Sequence, residues 1–238
     1  MLKTKKLLGI VLTLALVLNI SFGLTCTKVD AASYVAYVNV VSYEGNDGVG
    51  LGHSFLAVQN TSSSTITIGK MQLAPGKTVT LGTFGNLEDG KCLYYNVEKY
   101  CMNDSNSNNN FTPNKFLGEY ITSSELSTLN STINSNTSWT LSDNCASFAA
   151  DCWNSFSDRQ VSSNSIFLYN QYYYDPIANP HFLAGNIEKQ SGNSTNLFIP
   201  GPCGTGDVYY QSSSTSLLKQ SSLKTMDKLK SSSSSLGS

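Results

Sequence analysis

The stretch SYVAYVNVVSYEG, residues 33–45, alternates apolar and polar side chains and sets the class of the fold. This period of two is typical of a β-strand with one buried face. GHSFLAVQN at 52–60 is predicted to be a second strand, and ITIGKMQL at 66–73 a third, which forms a hairpin with the second. Two further strand-like runs occupy 74–85 and 91–101, so the first half of the chain is predicted to be a β-meander.

The hydrophobic period changes from two to between three and four near residue 122. TSSELSTLNSTINSN at 122–136 is predicted to be a helix, and its first four residues form a capping box. NCASFAADCWNSFS at 144–157 is predicted to be a second helix, with Ser142 and Asp143 as its N-cap residues. Strands followed by helices indicate the α+β class, an antiparallel sheet packed against helices.

The first 31 residues have the pattern of a secretory signal peptide. Lysines precede a long apolar run, and Val29 and Ala31 satisfy the small-residue rule for cleavage after Ala31. The alternative is a permanent membrane anchor, for which the run is long enough. Cleavage predicts a secreted protein without a stable membrane anchor, since no later apolar stretch could span a bilayer.

Loss of residues 1–31 would remove four lysines and one aspartate, so the formal charge would change from −1 to −4. A mildly acidic chain lacks the basic patch expected of a nucleic-acid-binding protein. Residues 32–208 are predicted to form one domain, because a chain of this length can bury an ordinary core. Residues 209–238 are rich in serine and are predicted to be a disordered tail.

Five cysteines follow the predicted leader, at positions 92, 101, 145, 152 and 203. An oxidising compartment favours disulfides, and an odd number leaves one thiol without a partner within the chain. Cys145 and Cys152 would lie about 10 Å apart on one helix, too far to pair. Cys92 could pair with Cys101 and Cys152 with Cys203, which would leave Cys145 free, although sequence alone does not determine connectivity.

Cys145 is the candidate nucleophile because it would lie in the first turn of its helix. Unpaired N–H groups and the helix dipole there stabilise a thiolate, and they can also stabilise an oxyanion. A thiol nucleophile needs a base, which is usually a histidine. His53, at the start of a predicted strand, is the preferred candidate. His181 is the lesser one, because only a short segment separates it from Cys145.

GHSFLAV at 52–58 followed by NCASFAADCWN at 144–154 resembles the circularly permuted papain-like superfamily. This group includes permuted relatives of NlpC-type cell-wall peptidases and the lecithin–retinol acyltransferases. The resemblance covers about residues 34–185 and implies a papain-like, permuted NlpC-type fold. It also implies that Cys145 is the nucleophile and His53 the base.

The same resemblance implies a third, polar residue that orients the imidazole. Gln72 is one candidate, because a turn near residue 62 would place it opposite His53. Asn96 is its rival on a further strand, with Glu98 on the same face. Asn144 is the candidate helper of the helix-start N–H groups in binding an oxyanion. An ordinary surface role is the alternative for both Gln72 and Asn96.

These features predict a secreted cysteine hydrolase that cleaves amide bonds, with cell-wall peptide as the expected substrate. One alternative is an acyltransferase of the same fold that acts on lipid acyl groups. Another is a non-catalytic secreted binding module in which Cys145 is structural. No metal motif or cofactor motif is recognised in the sequence.

Overall fold

The computed structural model describes residues 33–44, 52–85, 93–99, 115–140, 142–165, 168–169, 172–173, 177–195, 208–211 and 218–219. The predicted signal peptide and the asparagine-rich stretch at 103–114 lie outside these ranges. The chain divides into two units, Met1–Ser33 and Tyr34–Ser238, and every element below belongs to the second. Within the described ranges, no helix is long and apolar enough to cross a membrane.

Within the described ranges the chain forms thirteen β-strands, and it also forms three α-helices that each have four or more residues. The strands are β1 (Tyr34–Tyr43), β2 (His53–Asn60), β3 (Ile66–Ile68), β4 (Met71–Leu73), β5 (Thr78–Thr83), β6 (Leu93–Tyr95), β7 (Lys115–Thr122), β8 (Asn164–Ser165), β9 (Leu168–Tyr169), β10 (Tyr172–Tyr173), β11 (Ile177–Ala178), β12 (Tyr209–Gln211) and β13 (Leu218–Lys219). The helices are α1 (Ser123–Ser135), α2 (Cys145–Asn154) and α3 (Pro180–Glu188).

Seven strands form one sheet in the order β13-β12-β6-β5-β2-β1-β7, and each neighbouring pair is antiparallel. The strands β6, β5, β2 and β1 form the predicted meander, with β3 and β4 inserted between β2 and β5. The α+β class and the large antiparallel sheet packed against helices are therefore confirmed.

The third predicted strand is wrong in its extent and in its partner. Residues 66–73 do not form one strand paired with β2, because Gly69 and Lys70 make a turn that folds the stretch into the β3–β4 hairpin. Gly69 has a φ of 58°, a conformation that favours glycine. The strand that pairs with β2 on this side is β5, through Leu56 and Leu81 among other residues.

The first residues of the predicted tail form a strand of the main sheet. Residues 209–211 form β12, which pairs with β6 in the main sheet. Gln211 is buried, accepts a hydrogen bond from the Tyr95 hydroxyl, and donates one to Oδ1 of Asn134 at 2.9 Å. A buried amide that is hydrogen-bonded in two directions ties this strand to both the sheet and α1.

The predicted helix at 122–136 is confirmed as α1. Thr122 is its N-cap, and the Thr122 hydroxyl and the Glu125 carboxylate form the predicted capping box. Such a cap stabilises a helix by about 1 kcal/mol. Its apolar face buries Leu126, Leu129 and Ile133.

The second predicted helix is α2, but its N-cap is Asn144 rather than Ser142 or Asp143. The side chain of Asn144 accepts from the backbone N–H of Ala146 at 2.9 Å. Helix α2 packs on β2, β1 and β5. The N-cap therefore places Cys145 at the first helical position, against the centre of the sheet.

The sheet has buried side chains on both faces. Residues Leu56 and Val58 of β2 belong to the large core cluster that also contains residues of all three helices. Phe55 and Ala57, which alternate with them, belong to a smaller cluster with Val41 of β1. Each fully buried large apolar side chain contributes roughly 1.5–3 kcal/mol, so this packing holds the central strands firmly around the site.

Candidate active site

His53 is the first residue of β2 and is held by the sheet. It pairs in register with Tyr43 of β1, and its side chain is almost completely buried. The imidazole stacks on the rings of Phe84 and Phe55, with centroid distances of 4.5 and 5.9 Å. A strand position and two aromatic contacts leave the ring little freedom to rotate.

Glu98 lies beside His53, in a helical turn at 97–99 that follows β6. The chain reaches this turn through Asn96, whose φ is 66°, and the backbone N–H of Asn96 donates to the carbonyl of Thr80 at 2.8 Å. Glu98 Oε1 accepts a hydrogen bond from His53 Nε2 at 3.0 Å. Among the described residues, no hydrogen-bond partner contacts the other carboxylate oxygen, Oε2, which is also buried.

Cys145 contacts His53 from the start of α2. Its side chain is buried, and its thiol group hydrogen-bonds to the imidazole. Burial of His53 lowers the pKa of its imidazole, but the charge and hydrogen bond of Cys145 and those of Glu98 outweigh this effect and raise the pKa to about 9. At neutral pH the imidazole is therefore positively charged.

The structure thus brings together a thiol, an imidazole and a carboxylate from three separate elements. Cys145 comes from the helix start, His53 from the strand start, and Glu98 from the turn after β6. Nε2 of His53 hydrogen-bonds to Glu98. The other ring nitrogen, Nδ1, is therefore the one that can exchange a proton with the sulfur of Cys145. An imidazole placed between a thiol and an orienting acid is the arrangement that activates a nucleophile.

Asn144 has a structural task at this site. Its Oδ1 accepts the N–H groups of Ala146 and Ser147, and its Nδ2 donates to the carbonyl of Ala178 at 2.7 Å. These contacts take up two first-turn N–H groups, and the role of Asn144 as a helper in binding an oxyanion stays a prediction. The backbone N–H of Cys145 is the first-turn donor that this cap does not use.

Gln72 is not near His53, and the predicted register that placed it there is wrong. It lies in β4 opposite Thr67, and its exposed amide donates to the Thr67 hydroxyl at 2.9 Å. Asn96 was the rival candidate, and its backbone shapes the turn that carries Glu98. Of the polar residues weighed for the orienting role, Glu98 is the one that hydrogen-bonds to the His53 ring.

His181, the lesser candidate base, is exposed on the first turn of α3. Its backbone N–H is capped by Asn179 Oδ1 at 2.8 Å, and its ring meets that of Phe182 edge to face. The imidazole that hydrogen-bonds to Cys145 belongs to His53.

Cys152 is a free thiol in the structure, whereas the sequence had allowed a bridge from it to Cys203. Its side chain points into the large core cluster and has no exposed surface. Burial, together with the charge of Asp151, raises the pKa of the Cys152 thiol. Cys92, Cys101 and Cys203 lie outside the described residues.

The candidate site is identified from the positions of its side chains and not from a match to a known protein. Within the described ranges, no group of three histidine, cysteine, aspartate or glutamate side chains is placed to hold a metal ion. No family model matches the chain, and neither a curated protein nor a solved structure matches it.

Proposed function

We propose that the protein is an exported cysteine hydrolase that cleaves amide bonds through a Cys145–His53–Glu98 triad. The observation that carries the proposal is the buried imidazole, which hydrogen-bonds on one side to a helix-start thiol and on the other to a carboxylate. Perturbed titratable groups of this kind are concentrated at catalytic sites. In this triad Glu98 takes the role for which Gln72 and Asn96 were the sequence candidates.

The first half of the reaction forms a thioester. The Cys145 thiolate attacks the carbonyl carbon of the scissile amide, and the carbonyl oxygen takes up the negative charge. The His53 imidazolium then donates its Nδ1 proton to the amide nitrogen, the C–N bond breaks, and the amine leaves. Glu98 keeps the ring oriented and favours its protonated form, since its carboxylate accepts from Nε2.

The oxyanion needs donors that are in place before the reaction begins. The backbone N–H of Cys145 is well suited, because it lies at the helix start and is not used by the Asn144 cap. The loss of one such donor typically costs about 3–4 kcal/mol of transition-state stabilisation. Asn144 supports this donor by fixing the first turn of α2.

The second half of the reaction restores the enzyme. His53, now neutral, accepts a proton from a water molecule whose oxygen attacks the thioester carbonyl. The tetrahedral intermediate collapses, the C–S bond breaks, and the carboxylic acid leaves while sulfur regains its negative charge. The pair returns to imidazolium and thiolate, so no proton or electron is left unaccounted for.

The substrate class is a proposal based on the sequence resemblance. A papain-like, permuted NlpC-type fold, a leader at residues 1–31 and an amide-cleaving site together favour peptide of the cell wall as the substrate. The α+β architecture with a histidine on a central strand and a cysteine at a helix start supports this proposal. The predicted site of action is outside the cell.

A non-catalytic binding module is the second candidate, and one observation favours it. Residue Cys145 is only 8% exposed and His53 only 2%, so little of either residue faces solvent. A structural thiol–imidazole pair would have the same burial. The two candidates differ in whether the thiol reacts.

Iodoacetamide labelling of the folded protein at pH 7 tests the dyad, with labelled peptides mapped by mass spectrometry. We expect rapid labelling of Cys145 in the wild type and in His181→Ala, and at least tenfold slower labelling in His53→Ala. Release of amino groups from purified cell-wall peptide should require Cys145 and should be lost in Cys145→Ala. Equal amine release by the wild type and Cys145→Ala, or a native disulfide at Cys145, would refute the enzyme.

A further inference from the structure

Gly82 lies in the middle of β5, directly against the His53–Glu98 hydrogen bond. A Cβ atom built on Gly82 would come within 3.1 Å of Nε2 of His53 and within contact distance of Oε1 of Glu98, far closer than real Cβ atoms approach an oxygen. The same atom would lie 3.3 Å from Cβ of Phe55. The three nearest heavy atoms thus belong to His53, to Glu98 and to Phe55, whose ring stacks on the His53 imidazole.

The glycine is needed here for space and not for its backbone freedom. Its φ is not in the left-handed region, in contrast to Gly69 in the β3–β4 turn. A residue with a side chain could therefore adopt the backbone conformation of Gly82. Such a residue is excluded only because its side-chain atoms would clash with their neighbours. Glycine inside a strand normally weakens the sheet, and it is found where another group must come close.

The backbone around Gly82 has little room to shift. Gly82 pairs with Tyr94 of β6, and its neighbour Leu81 pairs with Leu56 of β2 and with Tyr95 of β6. Strand β5 is thus held on both sides, and all six of its residues are buried. A methyl group at position 82 would have to displace the Glu98 carboxylate.

We propose that Gly82 is a positioning residue for the site, whose missing side chain leaves the space in which the Glu98 carboxylate reaches the His53 imidazole. The effect of Gly82 on catalysis rests on the proposed function, whereas its effect on the His53–Glu98 hydrogen bond does not. Among the described residues, the titratable groups that raise the pKa of the His53 ring are the Cys145 thiol from α2 and the Glu98 carboxylate from the turn after β6, and a change at Gly82 acts through Glu98.

The test is the variant Gly82→Ala, with Gly118→Ala as the matched control. Gly118 is also a strand glycine whose added Cβ would be crowded, but by Tyr37 and Asn39 instead of the site. NMR titration of the His53 ring protons in the folded proteins reads out the pair directly. We expect the His53 pKa to fall by about one pH unit in Gly82→Ala, with iodoacetamide labelling of Cys145 at pH 7 slowed about tenfold, and Gly118→Ala to leave both unchanged.

An unaltered His53 titration and labelling rate in folded Gly82→Ala would overturn the proposal. If the variant does not fold, the double variant Gly82→Ala/Glu98→Ala decides, because removal of the carboxylate removes the clash. Recovery of folding in the double variant supports the proposal, and no recovery overturns it. A wild type that releases no amino groups from cell-wall peptide would refute the hydrolase, while the His53 titration would still report on Gly82.

Discussion

Nε2 of His53 and Oε1 of Glu98 lie 3.0 Å apart, and both side chains are almost completely excluded from solvent. A carboxylate placed this close inside a protein favours the charged imidazole far more than it would at the surface. The Cys145 thiol hydrogen-bonds to the same ring. The three groups therefore behave as one coupled unit, and a change in one is expected to alter the protonation of the others.

Glu98→Gln tests the contribution of the carboxylate charge. Glutamine has nearly the same shape and can still accept a hydrogen bond from Nε2, but it no longer supports a positive charge on His53. We expect the His53 pKa to fall by about one pH unit. Labelling of Cys145 at pH 7 should slow by up to about tenfold, because such a shift changes the balance between the thiolate–imidazolium pair and the neutral pair by a factor of ten. The rate is measured by mass spectrometry of samples in which labelling is quenched at successive times.

The matched control for this substitution is Glu119→Gln. Glu119 is a carboxylate of β7 that accepts hydrogen bonds from Arg159 at 3.1 Å and from Ser157 at 2.8 Å, and it does not take part in the proposed triad. Its substitution should leave the reactivity of Cys145 unchanged. If Glu98→Gln and Glu119→Gln both react like the wild type, Glu98 does not activate the site.

The pH dependence follows from the protonation of His53. The pKa of about 9 means that the ring is protonated at pH 7 and becomes neutral as the pH rises through 9. In the proposed reaction the leaving amine takes this proton, so amide cleavage should be lost as the pH rises above about 9. NMR titration should show the same transition without substrate, with the ring resonances assigned by means of His181→Gln.

The variant Cys145→Ser shows whether the thiol raises or lowers the pKa of His53. Burial alone lowers the pKa of His53, and the charge of Cys145 is the largest influence that raises it. The His53 transition should therefore move to lower pH in the variant, because a serine hydroxyl carries no charge at these pH values. A transition that stays near 9 would mean that the thiol carries no negative charge beside His53.

Local patterns in the sequence predicted the parts of the fold that depend on near neighbours. The strand predicted from the alternation at 33–45 and the capping box at Thr122 and Glu125 depend on residues a few positions apart, and the structure confirms both elements, although this strand is buried on both faces. The Asn179–Pro180 signal for the start of α3 is of the same kind, with asparagine at the N-cap and proline at the first position. This helix was not predicted, because the Asn179–Pro180 signal lies in an aromatic segment without a regular hydrophobic period.

The orienting residue could not be predicted in this way, because it depends on which strands become neighbours. A run of apolar residues at 66–73 indicates a strand, but the Gly69–Lys70 turn diverts it away from β2. Glycine inside such a run is a recognised breaker signal. Glu98 reaches His53 only because β5 and β6 pair and Asn96 adopts a positive φ, and neither fact can be read from hydrophobic period.

Cys152 should be unreactive in the folded protein and free in the unfolded protein. Burial raises the pKa of its thiol and blocks access to it, whereas Cys145 is at the helix start. Non-reducing peptide mapping should find Cys152 unlabelled before denaturation and labelled after it, without added reductant. A peptide that joins Cys152 to Cys203 would contradict this expectation.

Cys152→Ala should separate the packing role of this residue from the chemistry of Cys145. Removal of a buried sulfur leaves a small cavity, for which a loss of about 1–2 kcal/mol in the free energy of unfolding is reasonable. Urea unfolding measures this loss. The labelling rate of Cys145 should equal that of the wild type, and a large fall in that rate would show that the two cysteines are coupled through α2.

Asn144 should matter for stability and for reactivity through the same contacts. Asn144→Ala removes the N-cap of α2 and leaves the carbonyl of Ala178 without this donor, so we expect a loss of about 1–3 kcal/mol by urea unfolding. Asn144→Asp retains the capping oxygen and loses the donor to Ala178, and should lose less. Ser142→Ala is the control, since its hydroxyl is exposed and was a predicted cap that the structure does not use.

The reactivity of Cys145 shows whether Asn144 positions the start of α2 for the thiol or only stabilises the fold. If Asn144 fixes the helix start that holds the Cys145 N–H and thiol, Asn144→Ala should slow labelling of Cys145 while Asn144→Asp, which still caps, should slow it less. Equal labelling rates in both variants, together with the expected loss of stability, would restrict Asn144 to holding α2 and Ala178 together. Similar stability of Asn144→Ala and Ser142→Ala would contradict the capping role itself.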